Sequence, residues 1–143
     1  MIIVSKCFTG ACCRYDGGTN FDPEIAALVE AGKAVAVCPE ELGGLPTPRE
    51  PAEMNGTFDE IIHKRARVFT KSGRDVTRNF IDGAFLTSEI ARAEGATHAI
   101  LKARSPSCGV GAVYDGSFSG RLAEHDGVTA ALLKKAGLTV ESR

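Results

Sequence analysis

The stretch Ala34-Val35-Ala36-Val37-Cys38 predicts a short buried strand that ends at a cysteine. The same arrangement occurs twice more, with residues 2–5 before Cys7 and residues 99–102 before Cys108. In an open parallel α/β sheet, ligands bind outside the carboxyl ends of the strands. Cysteines delivered there by three separate strands can meet at one point. Because the chain has no local CxxC motif, a metal site of this kind has to be assembled by the fold.

Predicted helices alternate with these strands. Residues 23–31 form a helix with Asp22 as its N-cap, Pro23 at its first position and Gly32 after its end. The later elements are a strand over 65–70, a helix from Asp75 or Thr77 to about Glu94, a strand over 98–102, a loop or hairpin over 105–120, a helix over 126–136 and a strand over 138–140. Short apolar strands separated by helices predict a parallel sheet covered on both faces. The expected fold class is α/β, a single three-layer Rossmann-like domain over residues 1–143 with a mostly parallel sheet and its active site at the carboxyl ends of the strands.

Two further segments carry specific expectations. Residues 38–56 hold four of the six prolines and are expected to form one long loop, and long loops in compact domains are usually functional. In the helix that ends near Glu94, an apolar stripe that includes Phe80 and Phe85 is expected to face the core. Gly83 within this helix either weakens it or marks a close packing contact.

Composition limits the classes of function. The chain has 143 residues, of which 43% are hydrophobic and 24% charged, which is typical of a globular domain with its own core. Its formal net charge of −1 gives no general attraction to DNA or to an acidic membrane. No apolar run is long enough to span a membrane and no signal peptide is predicted, so we expect a cytoplasmic protein. In a reducing compartment, five cysteines are more typical of metal binding, catalysis or burial than of disulfides.

The spacing of the cysteines alone does not identify a metal. Zinc fingers and ribbons take their ligands as close pairs, and ferredoxins take theirs from compact runs, whereas Cys7, Cys38 and Cys108 are far apart in the chain. Structural thiols are an equally good interpretation of each one, since free cysteine is often buried. Three thiolates on one metal or cluster would leave an open position, which is typical of a catalytic site. The adjacent Cys12 and Cys13 are expected not to be ligands, although one of them is an alternative fourth ligand or an auxiliary nucleophile.

Polar residues beside the cysteines are candidates for the chemistry. Glu40 lies two residues after Cys38 and is either a proton donor or acceptor, or a surface glutamate. Arg49, in a proline-stiffened loop, is expected to clamp a carboxylate of Glu53 or of a substrate, or to form a purely structural pair. In Ser105-Pro106-Ser107-Cys108-Gly109, the hydroxyl groups and the glycine backbone are expected to contact a substrate, an anion or a cluster sulfide, although an ordinary turn explains them too.

Four sequence blocks occur in a fixed order. They are Ser5-Lys6-Cys7 through Arg14-Tyr15-Asp16-Gly17; Cys38-Pro39-Glu40 with residues 43–49 and Pro51-Ala52-Glu53; Gly73-Arg74-Asp75-Val76-Thr77; and Leu101-Lys102 with Ser105-Pro106-Ser107-Cys108-Gly109 through Tyr114-Asp115-Gly116. With these blocks the chain resembles the thiouracil desulfidase family, formerly a family of unknown function, over nearly its whole length.

The resemblance implies a [4Fe-4S] cluster held by Cys7, Cys38 and Cys108, with the fourth iron open to the sulfur of a thiolated pyrimidine. The implied reaction is a non-redox desulfuration that turns the thiocarbonyl into a carbonyl and releases sulfide. The resemblance assigns proton transfer to Glu40. It assigns substrate orientation to Ser105, with Ser107 as the alternative serine for this role. Arg49 and Gly109 are expected to bind substrate. The implied partners are a small thiolated nucleobase and the iron–sulfur assembly machinery, with no DNA and no membrane.

Two other classes of protein remain open on the sequence. One is an iron–sulfur or sulfur carrier that binds without turnover, and the other is a zinc-binding regulatory domain. A brown protein that absorbs near 400 nm is expected of the desulfidase and of an iron–sulfur carrier and would eliminate zinc, roughly by the rule that iron–sulfur clusters are held by cysteine thiolates. Release of sulfide from thiouracil would then separate the enzyme from the carrier.

Overall fold

A four-stranded parallel sheet forms the centre of the computed structural model, which describes all 143 residues. In chain order the strands are β1 (Ile2–Ser5), β2 (Ala34–Val37), β3 (Ala52–Met54), β4 (Val68–Thr70), β5 (His98–Leu101), β6 (Val113–Tyr114), β7 (Leu122–Ala123) and β8 (Thr139–Ser142). The central sheet has the order β2-β1-β5-β8, and every pair in it is parallel. The pairs β3–β4 and β6–β7 form two small antiparallel sheets.

Helices cover both faces of the central sheet. They are α1 (Pro23–Glu30), α2 (Pro39–Leu42), α3 (Phe58–Ile62), α4 (Thr77–Ala93) and α5 (Val128–Lys135), and a 3₁₀ helix spans Lys6–Thr9. Side chains alternate along a strand, so Ile3 packs with α4 and α5 on one face while Val4 packs with Ile25 of α1 on the other. The predicted three-layer α/β fold with a parallel sheet is therefore confirmed. None of the five helices is long and apolar enough to cross a membrane.

The structure confirms Asp22 as the cap of α1, whereas neither Asp75 nor Thr77 occupies the N-cap position of α4. The Asp22 carboxylate accepts the amides of Glu24 and Ile25 at 3.1 and 3.3 Å, as predicted for α1. Helix α4 begins at Thr77, and the Asp75 carboxylate accepts the Thr77 amide at 2.9 Å. Asp75 thus satisfies an amide that the helix itself leaves free, although Val76 occupies the N-cap position.

Three expectations about single segments need correction. Residues 38–56 are not one long loop, because α2 and β3 interrupt them. Phe85 does not face the core: it is 49% exposed, since α4 buries a narrower stripe that contains Phe80 and Ala84. The strand expected over 65–70 is shorter and spans Val68–Thr70.

Glycines set the contact between α2 and α4. A methyl group at Gly83 would overlap the backbone oxygen of Pro39, and one at Gly43 would overlap that of Asn79. Gly83 therefore marks a close packing contact, which was one of its two predicted roles. The contact holds the start of α2, and with it Cys38 and Glu40, against the longest helix of the protein.

Candidate active site

A cavity of about 710 Å³ opens at the carboxyl ends of the parallel strands. Cys7 follows β1, Cys38 follows β2 and Cys108 follows β5, and all three line this cavity. The sheet order explains their convergence, because β1 lies between β2 and β5 and all three strands run in the same direction. No three His, Cys, Asp or Glu side chains are arranged to hold a single metal ion.

The three thiols differ in their surroundings. Cys7 is buried, and its sulfur accepts a hydrogen bond from the Asn20 amide at 3.3 Å. Its pKa is lowered to about 6, chiefly by a hydrogen bond from the Cys13 thiol and further by Asn20 and the charge of Lys102, against the opposing effect of burial. Burial raises the pKa of the Cys108 thiol to about 12.

Cys13 is a fourth thiol at the site. It is buried and lines the cavity, whereas the neighbouring Cys12 is exposed. Hydrogen bonds with Cys38 and Cys7 raise the pKa of Cys13 and lower those of Cys7 and Cys38. The sequence contained Cys12 and Cys13 as an adjacent pair but no signal that would separate them, because their difference arises from the bend of the chain between the 3₁₀ helix and α1.

Glu40 is a half-buried carboxylate held by Arg49. Arg49 Nε donates to Glu40 Oε2 at 3.0 Å, and Nη2 donates to the same oxygen. The other guanidinium contacts go to the Cys13 and Pro46 carbonyl oxygens and to Thr47 Oγ1. The Arg49 side chain is only 7% exposed and that of Glu40 only 15%, so this pair lies inside the wall of the cavity.

The second oxygen of Glu40 faces the loop of Cys108. Ser107 Oγ donates to Glu40 Oε1 at 3.0 Å and also lies 3.5 Å from Cys108 Sγ. Ser105 Oγ lies 3.3 Å from Ser107 Oγ and accepts the Cys108 amide at 2.7 Å. These contacts form one consistent chain of donors, from the Cys108 amide to Ser105, from Ser105 to Ser107 and from Ser107 to Glu40. Ser107 is buried, whereas Ser105 is only half-buried.

Two predicted substrate-binding residues have different surroundings from those expected. Arg49 clamps neither Glu53 nor an open part of the cavity, because its donors are taken up by Glu40 and by backbone oxygens. Gly109 does not line the cavity. Its amide donates to the Ser105 carbonyl at 2.9 Å, and a methyl group there would meet the Ser105 and Ala112 oxygens, so this glycine allows the loop to close tightly.

The cavity also contains basic residues that the sequence reasoning did not single out. Lys71, Arg74, Lys102 and Arg104 line it. Burial and the charge of Arg104 lower the pKa of Lys102, while the thiols of Cys7 and Cys108 oppose that shift. Lys102 belongs to the fourth sequence block that resembles the thiouracil desulfidase family, and this was the one sign in the sequence that it could contribute to the site.

The ligands offered by the cavity fit an iron–sulfur cluster. Four thiols line it and no histidine does, while the Glu40 carboxylate between the thiols is already paired with Arg49. Iron–sulfur clusters are held by cysteine thiolates. Each thiolate of a cluster binds a different iron, so its ligands stand further apart than those of a single ion. Lys102 supplies positive charge beside the thiols.

Comparisons with known proteins agree with this chemistry. The chain is 48% identical over 143 residues to YbbK of Bacillus subtilis (strain 168), a protein described as uncharacterized, and the match covers 99% of this chain and 95% of that protein. It is also similar to a solved structure of TudS, described as a [4Fe-4S]-dependent thiouracil desulfidase, with a TM-score of 0.88 and 44% identity over 99% of this chain and 89% of that one. A family model described as 2-thiouracil desulfurase matches residues 2–143. This chain therefore belongs to the 2-thiouracil desulfurase family.

Proposed function

We propose that this protein is a [4Fe-4S]-dependent desulfidase that converts a thiolated pyrimidine such as 2-thiouracil into its oxo form. The observation that carries the proposal is the placement of Glu40 between two cavity-lining cysteines, with its carboxylate held by Arg49 and Ser107. A carboxylate fixed beside thiol ligands is suited to proton transfer at a metal-bound substrate. The family and the TudS similarity supply the substrate class.

Cys7, Cys38 and Cys108 are the proposed ligands of the cluster. They come from three strand ends and surround the same cavity, and three ligands leave one iron without a protein ligand. When bound, the cluster supplies a Lewis-acidic iron with an open position for the sulfur of the substrate. Cys13 also lines the cavity but follows no strand of the central sheet, and it is proposed to stay outside the ligand set.

The overall reaction balances without an electron donor or acceptor. The thiocarbonyl carbon gains the oxygen of one water molecule, and the sulfur leaves with the two protons of that water as hydrogen sulfide. Glu40 is proposed to take a proton from the attacking water and to return it to the ring nitrogen or the leaving sulfur. Arg49 holds the Glu40 carboxylate in one orientation through two N–H groups, which makes Arg49 a positioning residue.

The two serines are proposed to divide their roles. Ser107 is buried and donates to Glu40, so it acts through the carboxylate. Ser105 is half-buried and borders the cavity; because its proton goes to Ser107, its oxygen is proposed to accept a hydrogen bond from a substrate N–H. Because its oxygen accepts the Cys108 amide, the direction of this hydroxyl is restricted.

Two partners follow from the proposal. A thiolated nucleobase is the small-molecule substrate, and iron–sulfur assembly machinery loads the cluster in the cell. All five cysteines are free thiols, which fits a reducing compartment such as the cytoplasm.

The direct test is release of sulfide and uracil from 2-thiouracil by anaerobically reconstituted protein. We expect one sulfide per uracil, together with bound iron and an absorption band of a [4Fe-4S] cluster. Glu40→Gln is expected to keep the iron and lose about 10²- to 10⁴-fold of the turnover rate, the usual contribution of general acid–base catalysis. Glu41→Gln, on the same short helix but bonded to Lys6 and Thr47, is the matched control.

The other outcomes separate the alternatives. A cluster with no sulfide release from any thiolated base would favour an iron–sulfur carrier. Stoichiometric zinc in place of iron after purification would favour a zinc-binding domain. Full turnover by Glu40→Gln would rule out the proton-transfer role of this residue while leaving the desulfidase activity in place.

A further inference from the structure

The hairpin that follows the Cys108 loop presents an aromatic side chain to the cavity. Strands β6 and β7 are joined by residues 115–121, and Phe118 at the tip of this turn lines the cavity. The ring is half-buried although it belongs to an exposed turn, since Ser117 and Ser119 on either side are exposed. None of the roles assigned above uses this residue.

The backbone at Phe118 is in an unusual conformation. Its φ is 54°, and only Lys64 and Arg104 share a positive φ among the non-glycine residues. Bulky side chains rarely adopt this left-handed region because of the contact between Cβ and the backbone. Such conformations persist where the surroundings enforce them, and they are concentrated at active sites and ligand clamps.

Glu53 of β3 is what enforces the turn. Its Oε1 accepts the amides of Gly116 and Phe118 at 3.0 and 3.1 Å. A carboxylate that accepts two backbone amides forms strong, charge-assisted hydrogen bonds. Glu53 itself lines the cavity and is half-buried, so it fixes the turn from the cavity side.

Close packing removes the remaining freedom of the turn. Gly116 has a φ of 98°, and a Cβ there would lie 2.9 Å from Asn55 Cα and 3.2 Å from the Met54 carbonyl oxygen. The Asp115 carboxylate accepts the Ser117 amide at 2.9 Å within the same turn. The backbone that carries the Phe118 side chain is therefore fixed before a ligand arrives, which lowers the entropy cost of binding.

We propose that Phe118 is a substrate-binding residue whose ring stacks on the planar pyrimidine, with Glu53 as the positioning residue that holds it. The substrate class rests on the proposed function. Stacking of a base on an aromatic ring uses the π-face that every base has, so it recognises the ring and not the sulfur. The cavity of about 710 Å³ has to hold the cluster as well as the base, and an aromatic wall on one side limits the orientations that the base can take.

Anaerobic equilibrium binding to the iron-loaded protein tests this inference, with uracil on the otherwise unchanged protein and with 2-thiouracil in the slowly reacting Glu40→Gln background. Phe118→Leu is expected to weaken binding of both bases about tenfold, within the range found for loss of one base–aromatic stack. KM is expected to rise by a similar factor while kcat is retained, because the stack exists before and during the reaction. Phe118→Tyr should bind within about twofold of the wild type, since it keeps the ring. Phe85→Leu, an exposed phenylalanine of α4 outside this cavity, is the control and should bind like the wild type.

Glu53→Gln provides an independent readout. Loss of the charge is expected to speed amide hydrogen exchange at Gly116 and Phe118 and to weaken binding of both bases, with iron content unchanged. Wild-type affinity of Phe118→Leu for both bases would overturn the inference, whether or not the protein releases sulfide. If the wild type binds uracil but never releases sulfide, the proposed function fails, and the Phe118→Leu comparison with uracil still decides the stacking role. A wild type that binds neither base would overturn the stacking inference and would exclude 2-thiouracil as the substrate.

Discussion

Arg49 directs two N–H groups, from Nε and Nη2, to the same carboxylate oxygen of Glu40. The partners lie nine residues apart and come from α2 and from the proline-rich segment after it. The remaining donors of the guanidinium bind the Cys13 and Pro46 carbonyl oxygens and the Thr47 side chain. Arg49 therefore joins the Glu40 carboxylate to the segment that carries Cys13.

Arg49→Lys is expected to lower kcat by about 10²-fold, because a displacement of a reacting group by roughly 1 Å has effects of this size. A lysine ammonium is a point charge and cannot reproduce the fork that reaches Glu40, Cys13 and Thr47 together. Sulfide release and iron content are the measurements. An unchanged kcat with full iron loading would contradict the positioning role of Arg49.

The alanine variants of the two serines near Cys108 are expected to change different kinetic constants. Ser107→Ala leaves Glu40 Oε1 without its protein donor, so kcat should fall by about tenfold or more, as for loss of one hydrogen bond to a charged group. Ser105→Ala should raise KM more than it lowers kcat, since Ser105 is the hydroxyl at the edge of the cavity. Steady-state kinetics on 2-thiouracil distinguish the two variants. The reverse pattern would exchange the proposed roles.

Gly83→Ala is expected to destabilise the protein by about 1–3 kcal/mol, the usual effect of overpacking. A methyl group at this position would overlap the Pro39 carbonyl oxygen, so α2 and α4 would have to move apart. The movement would displace Glu40, and kcat should fall in parallel. Urea unfolding measures the stability, with Glu89→Ala on the exposed face of α4 as the control within about 0.5 kcal/mol of the wild type. A stable, fully active Gly83→Ala protein would contradict the packing argument.

Asp75 gives a prediction for pH. Burial acts to raise its pKa, but hydrogen bonds from Thr77 and from Arg67 outweigh it and hold the pKa below its usual value. Because the folded-state pKa is the lower one, Asp75 stabilises the fold above the unfolded pKa of about 4, and this stabilisation is lost as the pH falls through the folded pKa. Asp75→Asn should therefore be less stable than the wild type at pH 7 by under about 1 kcal/mol, since the site is well exposed.

Urea unfolding at several pH values, with both proteins in the same state of iron loading, measures this difference. The gap between the wild type and Asp75→Asn should narrow below about pH 4. A gap that stays constant down to the lowest pH would show that the amide acts through packing and not through charge. Asp82→Asn, which changes an exposed i,i+4 pair with Arg78, is the control and should show a smaller difference throughout.

The central sheet was predictable because its strands are short, apolar runs separated by a well-capped helix and by glycines. Asp22, Pro23 and Gly32 specify α1 locally, and the structure agrees with them. Helix α2, which interrupts the loop expected over residues 38–56, was not predictable, because it has only four residues and two of them are glutamates, so no apolar periodicity marks it. Its position depends on the glycine contact with α4, which is a tertiary effect.

Within the site, the convergence of Cys7, Cys38 and Cys108 followed from the rule for strand ends, and the structure brings them to one cavity. The partners of Glu40 were not predictable in the same way. Arg49 was expected to clamp a carboxylate of Glu53 or of a substrate, or to form a structural pair; it binds Glu40, and Glu53 instead accepts backbone amides of the turn at Phe118. The contacts of Glu40 with Ser107 and of Glu53 with Gly116 join segments more than 60 residues apart, and no local pattern encodes them.

Serine variants of the individual cysteines test which thiols hold the proposed cluster. Cys7→Ser, Cys38→Ser and Cys108→Ser are each expected to lose most of the iron, because each removes one thiolate from a site that offers no histidine in its place. Cys12→Ser changes an exposed thiol and should load iron like the wild type. Cys13→Ser separates the remaining possibilities, because its hydroxyl keeps a hydrogen-bond donor beside Cys7 and Cys38. If this variant retains iron and activity, Cys13 lies outside the ligand set. If it loses iron to the level of Cys108→Ser, Cys13 is a ligand, and the iron that is open to substrate has to be assigned differently. Iron and sulfide analysis after anaerobic reconstitution, together with the spectrum of each variant, measures these outcomes.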